Sequence, residues 1–253
     1  MPPVNPWLNL NLNSTPIIAN DPAEIDAIKN LASKLVGNPD YALHLDIVPE
    51  PFWGDIVNAN VFILSGNPGY SGIENTFIGN STLNANMQGN FSQISPNLIW
   101  LDPQKPIKNS AQTLHPGYDF WQQMTSGILN VKPNPNICVI EFFPYHSKKI
   151  SGDMKKCAMT LPSSLFVDYY IEKAIQEKKW IVIARCKSDW LNRIDGKWLG
   201  YKLRDYKNTS NKVLVTKGQK MNLTQNNLQK AVDMDSNLSP AGAPKWIDFL
   251  SAC

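Results

Sequence analysis

The sequence lacks any paired-cysteine motif. Its four cysteines, Cys138, Cys157, Cys186 and Cys253, are widely scattered, with no C-x-x-C among them. That spacing argues against zinc and iron–sulfur ligand sets, and against a disulfide framework in a cytosolic chain of this size. No apolar run approaches the ~20 residues that cross a bilayer. The opening stretch MPPVNPWLNLNLNS lacks the basic start and apolar core of a signal peptide. A cytoplasmic location is expected, and the sequons at Asn13, Asn208 and Asn222 read as accidental. Charge is sparse and nearly balanced, 24 Lys+Arg against 21 Asp+Glu for a net +3, which permits a nucleic-acid partner without demanding one. No internal repeat and no linker is visible, so residues 1–253 read as a single domain.

What is present is a globular composition, 43% hydrophobic and 18% charged, in which short apolar runs alternate with helical patterns. A first helix starts at Asp21-Pro22, with Asp21 as N-cap, Pro22 at the first turn and Glu24 three residues after the cap. Ile25, Ile28, Leu31, Leu35 and Val36 form its stripe, and Gly37 closes it. Further helices are expected over 117–129, 163–179 and 224–233, with a short one at APKWIDFL using Trp246 and Leu250 as structural cover. Strands are expected at 60–65, 137–140, 180–185 and 212–215, the first approached by the Pro-rich VPEPFWGDIVNA. Residues 72–115, rich in Asn, Gly, Ser and Pro, read as one long functional or mobile loop. This order predicts an α/β fold with three α/β/α layers around a central, mainly parallel four-stranded sheet.

Each predicted strand exits into polar chemistry: GNPGY, EFFPYHS, RCKSDW and TKGQKMNL. In a parallel sheet those tips lie along one edge, where open α/β sheets bind ligands. The first exit, NVFILSGNPGYSG at 60–72, is either a simple turn or a site.

A strand ending in Gly66-Asn67-Pro68-Gly69 resembles the first motif of the uracil-DNA glycosylase superfamily, in its mismatch-specific and single-strand-selective branches. The pattern of elements over roughly residues 45–233 is similar as well. The resemblance implies a monofunctional DNA glycosylase that flips a base and hydrolyses its N-glycosidic bond, with no metal or organic cofactor. It implies that Asn67 holds the attacking water; an amide orients rather than deprotonates. The alternative is that Asn67 stabilises its own turn. Pro68 and Gly69, with Gly66, would bring backbone close to the flipped nucleotide. Gly69 stands where strict uracil enzymes carry a tyrosine that excludes a 5-methyl group, and Tyr70 would line the wall or pack.

At the second exit the family has an asparagine that reads the uracil edge, and this chain has Glu141. An ionised carboxylate accepts only, which suits the exocyclic amine of cytosine; the alternative is an ion pair with Lys148 or Lys149. Phe142 is expected beside the base, and His146 at a phosphate or protonating the leaving base. His44 and His115 have no motif around them, and Asp55 is a second acidic candidate whose alternative is a turn role. The fourth exit lacks the family's His-Pro-Ser or Asn-Pro-Ser motif. There Gln219, Lys220 and Asn222 are polar substitutes, and Met221 or Leu223 a candidate wedge for the base stack. The stretch WLNRIDGKWLGYKLRDYKNTSNK, with Lys202 and Lys207, reads as a phosphate-tracking surface or a solvated hairpin; Lys148, Lys149, Lys155 and Lys156 make a second basic patch.

The expected function is therefore a monomeric DNA glycosylase acting on a 5-substituted cytosine in duplex or single-stranded DNA, in repair or anti-phage defence. The rival expectations are a non-catalytic nucleic-acid-binding module of the same fold and a hydrolase of free nucleosides or nucleotides.

Overall fold

The structure, a computed structural model, describes residues 2–102, 104–130, 132, 135–195, 213–215, 223 and 251–253. Five strands form one sheet: β1 (Phe52–Gly54), β2 (Val61–Leu64), β3 (Ile137–Ile140), β4 (Trp180–Ile183) and β5 (Val213–Val215), in spatial order β1-β3-β2-β4-β5. The last four are the strands expected from sequence, and neighbours among them pair in parallel. β2, β3 and β4 are buried at every position, as strands covered on both faces must be. β1 is an addition, a three-residue edge strand antiparallel to β3. Two prolines before it and a glycine within it obscure its pattern. Gly54 is required there: its φ is +93°, and a Cβ would collide with the Ile137 carbonyl of β3.

Seven α-helices are described: α1 (Pro22–Leu35), α2 (Ser81–Ser92), α3 (Pro116–Met124), α4 (Ser126–Leu129), α5 (Gly152–Ala158), α6 (Pro162–Gln176) and α7 (Lys187–Asp195). The β2-to-β3 connection carries α2–α4 and steps one way across the sheet; the β3-to-β4 connection carries α5 and α6 and steps back past β2. Right-handed crossovers in opposite directions use opposite faces, so the topology is compatible with three layers. α1 packs on α5 and α6, and α6 on β4. No helix among the described residues is long and apolar enough to cross a membrane.

Asp21 caps α1 by accepting from the Ala23 and Glu24 amides, and Ile28, Leu31 and Leu35 are buried. Val36 lies beyond the last turn and is 77% exposed. Glu24 does not reach back to the cap. Its carboxylate turns inward and accepts from the Tyr145 hydroxyl at 2.6 Å and the Ser163 amide at 2.7 Å, which ties α1 to the start of α6.

The stretch expected to be a long loop contains a 3₁₀ turn (Ile73–Phe77) and α2. The signal was the Leu83-Met87-Phe91 spacing, one apolar residue every four, all buried; the asparagines and glycine around it masked that period. The helix expected over 117–129 is instead broken at Thr125. Leu223 occupies the break: its N–H bonds the Met124 carbonyl and its carbonyl accepts from Gly127 at 3.2 Å. The helices expected over 224–233 and at APKWIDFL, with Trp246 and Leu250, lie outside the described residues.

Leu64, Ile140, Ile183 and Val215 are register partners across the parallel strands. The four strand exits therefore leave the sheet at one level.

Candidate active site

A cavity of about 300 Å³ opens at that level. The β2 exit contributes Asn67, Pro68, Gly69, Tyr70 and Ser71; the β3 exit contributes Glu141, His146 and Lys148; the β4 exit contributes Arg185. The remaining lining arrives from loops and from α3: Glu50, Glu74, His115, Pro116, Gly117, Phe120 and Trp121.

The Asn67 side chain is fixed by its amide nitrogen, which donates to the Pro68 carbonyl at 3.1 Å, the Ser147 carbonyl at 3.2 Å and the Ser147 hydroxyl at 3.0 Å. Carbonyls only accept, so the NH₂ end must face them. The opposite end, Oδ1, receives no hydrogen bond from any described residue and is left to accept one, as an oriented water requires. One end of the amide thus holds the turn, and the other is left as an acceptor on a residue that lines the cavity.

Gly69 is exposed, and a Cβ there would meet nothing within 4 Å among the described residues. Tyr70 stacks on His44 with ring centroids 3.3 Å apart, and its hydroxyl accepts from Asn75 at 3.0 Å; it is a braced wall. Gly66 does not line the cavity. A Cβ on it would press on Cys186 Sγ at 3.1 Å, so the glycine serves the close approach of the β2 and β4 exits. Phe142 is also absent from the lining: it is buried against Trp190, with ring centroids 5.1 Å apart.

His146 is not the exposed phosphate or leaving-group contact expected. It is 2% exposed, and both ring nitrogens are engaged, Nδ1 with the Gly69 carbonyl at 2.8 Å and Nε2 with the Val48 carbonyl at 3.0 Å. Two carbonyl acceptors call for a donor at each nitrogen, the imidazolium form. Burial pushes its pKa down, but the hydrogen bond and charge of Glu50, whose Oε1 lies 3.4 Å from Nε2, outweigh burial and hold it above the usual histidine value. Glu50 is depressed in turn: burial raises it, and His146 more than offsets that, helped by the Trp100 indole N–H at 2.8 Å. His146 thus positions the Gly69 carbonyl and keeps Glu50 ionised in the cavity wall.

His115, the N-cap of α3, accepts the Gly117 N–H on Nδ1 at 3.1 Å and stacks on Trp100. Burial pushes its pKa down to about 4, so it is neutral with its proton on Nε2. Glu50, His115 and Arg185 are functional candidates that the sequence reading missed. His115 carried a local signal, a histidine directly before Pro116 at a helix start, and Arg185 stood at the head of the RCKSDW exit; Glu50 carried none.

Glu141 forms no ion pair with Lys148 or Lys149; both lysines bond Asp40, at 2.9 and 2.5 Å. Its backbone N–H is held by the Pro51 carbonyl at 3.0 Å, and its Oε2, like the neighbouring Ser65 hydroxyl, is buried with no hydrogen-bond partner within bonding distance among the described residues. Burial, followed by the nearby Glu50 charge, raises its pKa to about 8. The expectation of an ionised, accept-only carboxylate is therefore corrected: near neutral pH this group is a carboxylic acid with one O–H to donate.

Two cationic side chains reach the cavity lining. The Arg185 guanidinium lies 5.5 Å from the Phe120 ring centroid, and Lys148 stands nearby with its charge shared with Asp40. Lys155 pairs with Asp189 at 2.8 Å. The start of the supposed phosphate-tracking stretch faces inward: Trp190 is fully buried, and Arg193 bonds Asp168 and the Phe142 carbonyl. Lys202, Lys207, Gln219, Lys220, Met221 and Asn222 lie outside the described residues. Leu223 is fully buried in the α3–α4 break and is a core contact rather than a wedge. Asp55 holds its own turn, accepting from the Val57 and Asn58 amides at 3.0 and 2.9 Å.

Comparison with protein-family models, curated proteins and solved structures finds no match to this chain, so the chemistry of the site alone carries its functional reading.

Proposed function

We propose that the chain is a DNA glycosylase of uracil-DNA glycosylase-like fold, which takes a flipped 5-substituted cytosine into this cavity and hydrolyses its N-glycosidic bond. The observation that carries the reading is Asn67, pinned by its NH₂ end so that Oδ1 remains to accept from a water at the strand-tip cavity. An amide cannot deprotonate that water, and need not if the base departs first and leaves an oxocarbenium-like sugar for the water to trap. Glu50, held ionised by His146, supplies a fixed negative charge toward that cation. Arg185 at the mouth supports a neighbouring phosphate, and the open space beside Gly69 supports a bulky substituent at C5. The product is an abasic site, and the activity suits repair or defence against DNA with modified cytosines.

The test is incubation of the protein with oligonucleotides bearing 5-hydroxymethylcytosine, its glucosylated form, cytosine or uracil, followed by alkaline cleavage. Strand breaks at the modified cytosines are expected, and Asn67→Ala should lower their rate at least ~10²-fold, in the range of a lost transition-state contact, while the variant stays folded. No break in any oligonucleotide overturns the reading.

A hydrolase of free nucleosides is the second reading. It is favoured by the neutralisation of Lys148 and Lys149 on Asp40, which removes two cations from a DNA-binding rim. Release of free base from nucleosides but not from oligonucleotides identifies it.

A further inference from the structure

Two carboxyl groups line one cavity with opposite surroundings. Glu50 accepts from Trp100 and faces the His146 imidazolium. Among the described residues Glu141 has no cationic partner at hydrogen-bond distance, and its Oε2 is buried and unpartnered in a group that lines the cavity. Environments that push two carboxyls apart in this way assign an acid and an anion. We propose that Glu141 is the general acid of the site, and that it delivers its proton to the ring nitrogen beside the exocyclic amine of a cytosine-type base. The inference rests on the glycosylase reading and supplies the leaving-group step for which that reading has no fourth-exit motif.

The step balances without a further reactant. The Glu141 O–H proton moves to N3 of the base. The bond between C1′ and N1 breaks, and its electron pair stays on the base, which leaves neutral. Water held at Asn67 adds to C1′, and the proton it releases restores the carboxyl of Glu141. Uracil cannot use this acid in the same way, because its N3 already carries a hydrogen and has no free lone pair. The carboxyl is therefore also a specificity device, selecting bases with a basic ring nitrogen. Desolvation keeps the proton on Glu141, and the Glu50 charge reinforces it. The neighbouring Ser65 hydroxyl, then Arg185 and His146, oppose it, while Cys186 and His115 remain neutral in the same site.

Single-turnover cleavage of a 5-hydroxymethylcytosine oligonucleotide, followed from pH 6 to 10, reads the proposal. The parent rate should be level at low pH and fall about tenfold per pH unit above roughly 8. Glu141→Gln keeps a hydrogen-bond donor but has no proton to give. It should lose about 10²-fold or more in rate, keep its KM, and lose the alkaline limb. Should that variant fail to fold, the parent's pH profile decides alone. A parent rate that stays level through pH 9.5, or a variant with the parental rate and profile, overturns the acid role and leaves the glycosylase reading intact. If no oligonucleotide is cleaved, both fall. Calorimetry with free cytosine and free uracil on the whole protein then separates a base-binding site, seen as cytosine affinity that weakens at least tenfold from pH 7 to 9.5, from no base site at all.

Discussion

Glu141 and Glu50 are the same residue type facing one cavity, and neighbours decide their states. The consequence for stability is testable without substrate. The folded chain keeps the Glu141 proton up to about pH 8, whereas the unfolded chain releases it near the ordinary value of 4.5. Between those values the folded state binds the extra proton, so this group makes stability fall as pH rises. Glu141→Gln removes that slope, and by pH 8 the variant should be more stable than the parent by a few kcal/mol on an order-of-magnitude basis. Denaturant titrations of both proteins at pH 5 and 8 measure it; equal differences at the two values contradict it. His146 has a raised pKa for the opposite reason, an added partner. Its contribution is complete below its ordinary value and is lost as pH climbs through the raised one. His146→Ala leaves Glu50 buried without its counter-charge and should cost about 3–5 kcal/mol, visible as a lowered denaturation midpoint even where the fold survives.

At the scale of elements, strands were more legible than helices. β2, β3 and β4 each carry four unbroken apolar residues, a signal that needs no context. α2 was hidden because its asparagines are weak helix formers, and α5 and the end of α7 because Lys155, Lys156 and the stretch from Trp190 read as binding surface, whereas Lys155 pairs with Asp189 and Arg193 with Asp168. The convergence of strand exits followed from parallel order alone, and the shared register of Leu64, Ile140 and Ile183 accounts for it. Glu50 was not legible as a site residue, since a distant loop brings it to the cavity only through tertiary packing; Arg185 heads the RCKSDW exit of β4 but carried no motif of its own. The β2 exit itself offers a steric test. Gly69 has no positive φ to preserve and no described residue within 4 Å of its missing Cβ, so Gly69→Tyr should fold normally. Its ring would occupy the space left for a 5-substituent. Cleavage of glucosylated hydroxymethylcytosine should fall at least ~10-fold relative to cytosine with a small substituent, near the 1–3 kcal/mol that shape exclusion supplies. An unchanged ratio would show that the substituent leaves the cavity by another side.

For the whole molecule, the question is whether its cations meet a polymer of phosphates or a single small ligand. A net charge of +3 decides nothing by itself, and several described cations are already committed: Lys148 and Lys149 to Asp40, Lys155 to Asp189, Arg193 to Asp168. Arg185 lies at the mouth over Phe120, and the sequence adds Lys197, Lys202, Arg204, Lys207 and Lys212 in one stretch. If three or four of these contact phosphates, counterion release makes affinity fall by roughly 40- to 150-fold between 50 and 200 mM salt. A free nucleoside has no phosphate and should show almost no dependence. Fluorescence anisotropy with a labelled oligonucleotide across that salt range therefore discriminates the two substrate classes before any chemistry is measured. Reversing Lys202 and Lys207 to glutamate should flatten the slope by about two contacts while leaving the choice of base unchanged, because phosphate contacts position the strand and the cavity reads the base. A steep slope that survives both reversals would move the DNA path to other cations, with Arg185 at the cavity mouth the first to replace.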